Sequence, residues 1–421
     1  MNDTATPGVP GTAAEIPQTD VAGLSAEDAV DRLVARAVAM GASDLFVQAN
    51  EDHYLAEVRH FGVVRQIATL KKDQGKKAIA YVRNNSGMGM GDLRHPDEGR
   101  WIWTPEGDDG SVDTSVDLRV SVIPTLYGED AAFRLLVRSS NLYELTKLGM
   151  TDRQLNKYRQ MIANPGGLIL ITGPTGSGKT ATLYATLMSL NDGSRKINTI
   201  EDPVEYSVGG LRQSQVNPDI KLGFAELLRA VLRQNPDVIM LGEVRDAETA
   251  MTAVRAAASG ILVFATLHAP GTASAVQSMR AYGIPDHFLA GSLRGVVAQR
   301  LVRTLDPATR REMDLGTDAF EEIRDMLKPG EGDKLYTAVP AESNHMSGYA
   351  GRAGVFEVME VTRPIRNLIA GNAAASEVRA QALKDGMLEF RKAALLKVAR
   401  GETSTEEVFR TIPGEELLMD E

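Results

Sequence analysis

Cysteine is absent from this 421-residue chain, which excludes disulfides and every thiolate metal site. Histidine is scarce. His53, His60, His95, His268, His287 and His345 are all there is, and no two have the i, i+4 spacing of a helical metal pair. Aromatic residues make up 5%, and no basic, aromatic-rich strand offers a stacking platform for single-stranded nucleic acid. Positive charge is not in excess either. The net charge is −10 at pH 7, which argues against broad nucleic-acid coating. No apolar run approaches the roughly eighteen residues of a membrane-spanning helix. The first twenty residues, MNDTATPGVPGTAAEIPQTD, hold no Lys, no Arg and no apolar core, so they do not read as a secretory signal. Their Pro, Gly, Thr and Ala content predicts a disordered lead over residues 1–24. A cytoplasmic chain is expected, with membrane association only through partners.

What is present is ordinary globular composition, 43% hydrophobic and 24% charged, with length for two or three domains. AEDAVDRLVARAVAMGASD places Ala29, Val30, Leu33, Val34 and Ala37 at helical spacing and stops at Gly41. LFVQA, YLAEVRHFG and VVRQIATL read as strands, and a second helix is expected over Lys76–Asn85. RWIWTPEG and VDLRVSVIPT read as hairpin strands around the polar loop EGDDGSVD, with DAAFRLLVR as another strand. These pieces predict a small α+β domain over 25–140, followed by a linker over 141–151. From 152 strands alternate with helices, the pattern of a mostly parallel α/β sheet, with a core over 152–305 and a C-terminal part over 306–421.

GGLILITGPTGSGKTATLYATLMSL is an apolar strand, a Gly-rich loop and a helix. Gly173, Gly178, Lys179 and Thr180 satisfy G-x-x-x-x-G-K-[ST] in full. The glycines let backbone N–H groups turn inward around phosphate oxygens, and the helix N-terminus adds a favourable dipole. Gly173, Pro174, Thr175, Gly176, Ser177, Gly178, Lys179 and Thr180 are the expected nucleotide-binding residues. Lys179 neutralises the β and γ phosphates in this reading, and the Thr180 hydroxyl ligates Mg²⁺. ATP and Mg²⁺ are the expected cofactors.

In an open parallel sheet, ligands sit outside the carboxyl ends of the strands. KINTI leads into Glu201, Asp202 and Glu205; PDVIMLG leads into Glu243, Val244, Arg245 and Asp246; GILVFATL leads into His268. Each strand delivers polar groups to one edge. Glu243 follows a buried-looking strand and can orient the Mg²⁺ shell or the attacking water. Asp246 is the better candidate to cap the helix DAETAMTAVRAAASG. His268 can contact the γ-phosphate. GFAELLRAVLRQNPD reads as an amphipathic helix with Phe224, Leu227, Leu228, Val231 and Leu232 on one face, and with Arg229 and Arg233 on or near the opposite, solvated face.

Together these pieces resemble the secretion ATPases of the type II secretion and type IV pilus superfamily, from about residue 25 to 415. GPTGSGKT looks like the family's Walker A, TIEDPVEY its aspartate box, LRAVLRQNPDVIMLGEVRD its Walker B region and TLHAPGTASA its histidine box. GYAGRAGVFEVMEVT and GMLEFRKAALLKVARGETSTEEV look like its C-terminal segments. In the first domain GASDLFVQ, LRHPDEGR and DLRVSVIPTLYGEDAAFRLL resemble its PAS-like domain. The resemblance implies a RecA-like P-loop domain preceded by that PAS-like domain. It implies a homo-hexamer that acts through an inner-membrane platform protein and other machine subunits. That motor would power type IV pilus assembly or retraction, or type II protein secretion, from the cytoplasmic face of the inner membrane. It also carries over Arg119 and Arg134 as the arginines that reach nucleotide.

The departures from the family's pattern are specific. Its two Cys-x-x-Cys pairs would fall at Asp306 and Thr309 and at Ala341 and Asn344, none a cysteine. No zinc is expected, and the zinc subdomain is read as lost or held by packing alone. Pro270 and Gly271 replace the usual Asn-Asp after the histidine, and Phe46 stands where His is common. The larger N-terminal docking domain of many relatives is read as missing, a lack shared with retraction ATPases, and PIRNLIA looks like a segment those carry.

In the resulting mechanism Glu205 is the general base, and Glu243 organises metal and water. Glu201 and Asp202 position the loop, water or Mg²⁺ shell, and Arg119 and Arg134 stabilise γ-phosphate charge. Two other readings compete with it. One is a weakly hydrolysing nucleotide-binding regulator or scaffold of the same machine. The other is a nucleic-acid translocase, against which the charge and the missing stacking surface both count.

Overall fold

The computed structural model describes residues 16–89, 91, 93–105, 115–136, 144–313 and 320–414. Residues 1–15 of the predicted lead, the predicted loop Glu106–Asp113 and the start of the connector lie outside them. The chain divides into two compact units. One is Met1–Arg138 with Asp306–Arg310 and Ala338–Ala350; the other is Ser139–Leu305, Arg311–Thr337 and Gly351–Glu421.

In the first unit, Ser25 accepts a hydrogen bond from the Asp28 amide and starts α1 (Ala26–Ala39). The helix buries the predicted stripe, Ala29, Val30, Leu33, Val34 and Ala37. There follow β1 (Asp44–Ala49), β2 (His53–His60), β3 (Val63–Lys71), α2 (Lys72–Asn85), β4 (Asp97–Trp103), β5 (Val116–Thr125) and β6 (Gly128–Leu136). They form a six-stranded antiparallel sheet in the order β3-β2-β1-β6-β5-β4. β1 and β2 alternate between half-buried and buried residues, as a sheet with one covered face requires.

Two expectations are corrected here. The disordered lead was drawn to residue 24, but Ile16 and Val21 are buried in this unit's core and the Thr19 amide donates to the Ile67 carbonyl. The second helix was expected from Lys76 but starts at Lys72. Gly75 lies inside it because a Cβ there would fall 2.2 Å from the Tyr54 ring. The glycine permits close helix–sheet contact rather than marking a boundary.

The region of the missing cysteine pairs is also not held by packing alone. Asn344 Nδ2 donates to Asp306 Oδ2 (3.0 Å), Thr309 Oγ1 (2.9 Å) and the Val339 carbonyl (3.1 Å). Its Oδ1 accepts from the amides of Ala341 (2.9 Å) and Gly348 (3.0 Å). Thr309 Oγ1 donates to Asp306 Oδ2 (3.1 Å). All four positions thus join one hydrogen-bonded clasp, Ala341 through its backbone amide.

In the second unit, Thr151 and Gln154 cap α3 (Asp152–Ile162) reciprocally. Then come β7 (Gly167–Thr172), α4 (Lys179–Leu190), β8 (Ile197–Glu201), β9 (Arg212–Gln215), α5 (Phe224–Leu232), β10 (Val238–Leu241), α6 (Ala247–Ala258), β11 (Leu262–Leu267), α7 (Thr272–Ala281), α8 (Asp286–Ser292) and β12 (Leu293–Leu305). A small hairpin, β13 (Arg311–Met313) with β14 (Leu335–Thr337), precedes β15 (Tyr349–Glu360). The chain closes with α9 (Arg363–Ala370), α10 (Ala375–Lys384), α11 (Phe390–Ala399) and α12 (Thr405–Thr411).

The main sheet runs β15-β12-β7-β11-β10-β8-β9, and the six strands from β12 to β9 are parallel. Every residue of β7, β8, β10 and β11 is buried, because helices cover both faces. Successive residues enter opposite cores. Leu168, Leu170, Ile239, Leu241, Val263 and Ala265 meet α5, α6 and α7. Ile169, Ile171, Val238, Met240, Leu262 and Phe264 meet α3 and α4. Each such Val, Leu, Ile, Met or Phe side chain contributes about 1.5–3 kcal/mol when fully buried, which fixes the strand register and with it the strand ends.

At the far end, fully buried Glu407 ties α12 to β12. It accepts from Arg303 Nε (2.8 Å) and Nη2 (2.7 Å) and from Arg410 Nε (2.8 Å) and Nη2 (2.7 Å). Burial pushes its carboxyl up, but Arg410 and Arg303 outweigh burial and hold it below the usual glutamate range.

Candidate functional site

Because the strands are parallel, β7, β8, β10 and β11 deliver their carboxyl ends to one edge of the sheet. From β7 the chain enters Gly173 at φ 147°, where a Cβ would lie 2.5 Å from the Gln299 carbonyl oxygen and 2.7 Å from Ser177 Oγ. Gly178, at φ 89°, is the N-cap of α4. The loop therefore needs glycine at both ends, one for close approach and one for a left-handed cap. Lys179 opens the helix and donates to the carbonyls of Gly173 (2.8 Å) and Pro174 (3.1 Å). Burial pulls its ammonium below the usual lysine value; Glu243 opposes this and Arg300 adds to it. Thr180 and loop residues Pro174, Thr175 and Gly176 are exposed.

β8 ends in Glu201, whose side chain turns into the protein. Its carboxylate accepts from Tyr184 Oη (2.6 Å), Thr199 Oγ1 (2.5 Å) and Gln213 Nε2 (3.1 Å). Burial pushes the Tyr184 phenol well up, and the hydrogen bond to Glu201 adds to this. With three donors fixed on it, Glu201 braces β8, α4 and β9. Asp202 follows on the outside, and the Asp202–Pro203 peptide is cis. Glu205 is half-buried, and no described residue donates a hydrogen bond to its carboxylate.

β10 leads through Gly242 to Glu243, and β11 leads to His268. Glu243 Oε1 lies 2.9 Å from His268 Nε2, and Glu243 Oε2 accepts from Arg245 Nε at 2.6 Å. Arg245 Nη1 reaches Asp202 Oδ2 at 3.0 Å. The hydrogen bond to Glu243 raises the Arg245 guanidinium above its ordinary value, against burial. Asp202, Glu243, Arg245 and His268 thus join three strand ends in one chain of contacts. Arg245 is about half exposed, and such pairs stabilise by about 0–1 kcal/mol, so their effect is to orient the groups. Asp246 caps α6 as the sequence predicted, accepting from the Thr249 amide at 2.7 Å.

Of the residues singled out in the sequence, Lys179, Thr180, Asp202, Glu243 and His268 belong to this edge, whereas Glu201 points away from it. Arg119 and Arg134 lie in the first unit, as directly opposed residues on β5 and β6. Arg134 is also opposite Asp44 and lies 3.9 Å from its carboxylate. Arg229, expected on a solvated basic face, pairs with Glu226 (3.1 Å) and with Glu248.

Sequence reasoning gave no role to Arg245, Tyr184 or Gln213, and did not single out Gln299. The signal for Gln299 was available: a Gln-Arg pair inside the apolar run VVAQRLV must find partners if it is buried.

The Gly173 and Gly178 cradle, the N-terminus of the twelve-residue α4, Lys179 and the exposed Thr180 hydroxyl fit a nucleotide phosphate with its Mg²⁺. Residues 22–410 match the model of the family described as "Type II/IV secretion system protein". The chain is 36% identical over 389 residues to the type IV pilus assembly ATPase PilB of Thermus thermophilus, a match covering 92% of this chain and 43% of that protein. It is also 36% identical over 381 residues to the type II secretion system protein E of Dickeya dadantii, covering 90% of this chain and 74% of that one. It therefore spans less than half of the Thermus protein and about three quarters of the Dickeya one. The Legionella pneumophila ATPase DotB shares the fold, with a TM-score of 0.70 at 21% identity over 93% of this chain and 96% of that one. No helix among the described residues is long and apolar enough to cross a membrane. A P-loop unit with its acidic strand ends, matched by the family model over nearly its whole length, makes this chain a member of the type II/IV secretion system protein family.

Proposed function

We propose that this chain is a motor ATPase. It would hydrolyse ATP as a homo-hexamer at the cytoplasmic face of the inner membrane and act on a platform protein. The work done is type IV pilus assembly or retraction, or type II protein secretion. The observation that carries the reading is the continuous set of contacts Asp202–Arg245–Glu243–His268 beside the P-loop. When bound, Mg²⁺ would neutralise phosphate charge and orient oxygens for in-line attack. Lys179 and the loop amides would bind the phosphates, and the Thr180 hydroxyl and Glu243 carboxylate would hold the metal ion. Glu205 accepts the proton of the attacking water. Its half-buried carboxylate, with no described hydrogen-bond donor, supports that assignment over Glu201, which is held by three donors. Asp202 and Arg245 hold Glu243 in orientation, and His268 is the group that reads its state. Arg119 and Arg134 would stabilise charge on the γ-phosphate.

The test is steady-state phosphate release by the purified full chain. Glu205→Gln is expected to lower turnover by at least about a hundredfold, the range of a general base. Wild-type turnover in that variant would remove Glu205 from the role. Nucleotide binding without Lys179-dependent turnover would favour the regulator reading.

A further inference from the structure

Gln299 lies on β12, directly after Ala298, which pairs with Thr172 at the carboxyl end of β7, and is 1% exposed. Its side-chain amide is engaged on both sides. Nε2 donates to the Ser177 carbonyl at 2.7 Å, and Oε1 accepts from Thr182 Oγ1 at 2.9 Å. The Ser177 carbonyl can only accept, so chemistry fixes which way the amide points. The backbone carbonyl of the same residue backs Gly173, where a Cβ would approach within 2.5 Å, and its Nε2 would lie 3.2 Å from a Cβ at Gly178. One residue therefore touches the beginning, the end and the following helical turn of the phosphate loop.

We propose that Gln299 is the positioning residue of the phosphate loop, acting on bound nucleotide through the Ser177–Gly178 peptide. Across a planar trans peptide, C=O and N–H point in opposite directions. Holding the Ser177 carbonyl against Gln299 therefore turns the Gly178 N–H away from Gln299. Thr182, one turn into α4, anchors the other end of the amide, so the loop and the helix N-terminus are set together. The neighbouring Arg300 is held as well: it donates to the Pro270 carbonyl (2.9 Å) and lies over the Phe390 ring at 5.0 Å. β12 is thus also held at the residue that follows Gln299.

The inference rests on the nucleotide-binding reading of the loop and deepens it. An amide that aims a loop donor acts on phosphate in the ground state and the transition state alike, so its loss should raise KM more than it lowers kcat. The experiment uses the full chain with Gln299→Met, which keeps volume and loses both hydrogen bonds, Gln299→Glu, which keeps only the acceptor, and Thr182→Val. Three quantities are read: affinity for a fluorescent ADP analogue, kcat and KM for ATP, and the thermal midpoint without nucleotide. The expected result is at least about tenfold weaker ADP binding and higher KM in both Gln299 variants, with kcat within about threefold and a smaller effect in Thr182→Val. Gln299 variants that bind ADP within about twofold of wild type would overturn the inference, whatever their thermal midpoint. If Gln299→Met does not fold, Gln299→Glu and Thr182→Val decide it alone. A wild-type chain that binds ADP but does not hydrolyse ATP would refute the motor reading and leave the affinity test of Gln299 in force.

Discussion

Glu201 and Glu205 lie four residues apart in one acidic stretch, and the proposed mechanism gives them opposite kinds of work. Replacing Glu201 by Ala removes the acceptor for Tyr184 Oη, Thr199 Oγ1 and Gln213 Nε2. Two of these donors keep an alternative, since Tyr184 Oη and Gln213 Nε2 also reach the Tyr206 carbonyl at 3.3 and 2.8 Å. The Thr199 hydroxyl has only Glu201 among its hydrogen bonds to described residues. A stranded buried donor costs about 1–3 kcal/mol, and a hydrogen bond to a charged group contributes about 1.5–3 kcal/mol. Full loss at Thr199 and partial loss at Tyr184 give about 3 kcal/mol. For a unit of this size that lowers the thermal midpoint by about 6–12 °C, at about 2–4 °C per kcal/mol. Circular dichroism melting of Glu201→Ala and Glu205→Ala, beside phosphate release, separates the two residues. Glu201→Ala should melt early. Glu205→Ala should melt as wild type and lose turnover. A Glu201→Ala chain with the wild-type midpoint and no turnover would refute the reasoning, because the carboxylate would then be chemical rather than structural.

Three further outcomes are expected. Gly173→Ala should weaken binding of a fluorescent ADP analogue by at least about tenfold, because its Cβ would meet the Gln299 carbonyl and Ser177 Oγ. Asn344→Ala should lower stability to urea by about 2–4 kcal/mol through the loss of the clasp on Asp306 and Thr309, whereas EDTA should leave wild-type unfolding unchanged. Glu407 has its carboxyl held low in the folded chain. Its contribution is therefore complete above the unfolded-state value of about 4.3 and is lost as pH falls through the lower folded value. The stability gap between wild type and Glu407→Gln, followed by urea unfolding, should shrink as pH is lowered across that window and stay constant above it.

The phosphate loop was legible because its chemistry is local: two glycines, a lysine and a threonine at fixed spacing between a strand and a helix. Asp246 was legible for the same reason, since a cap acts within three residues. The direction of Glu201 was not. β8 is buried on both faces, so alternation of polar and apolar residues says nothing about which side faces the nucleotide edge. The clasp joins residues 38 positions apart, and polar pairs at that separation leave no periodicity. Gly75 marks where a helix passes close to Tyr54, a long-range contact that leaves no local pattern. The lead was read from composition, yet Ile16 and Val21 anchor its last part to the core. Gln299 was hidden in an otherwise apolar strand, where only the requirement that buried amides be paired could have drawn attention to it.

The central claim is that this phosphate loop and its acidic strand ends turn over ATP. Steady-state phosphate release by the full chain, compared with Lys179→Ala and Glu243→Gln, tests it most directly. The account predicts turnover in the wild type and its loss in both variants, with every chain melting within a few degrees of the others. Turnover that survives Lys179→Ala, or a wild type that binds nucleotide without releasing phosphate, would contradict it.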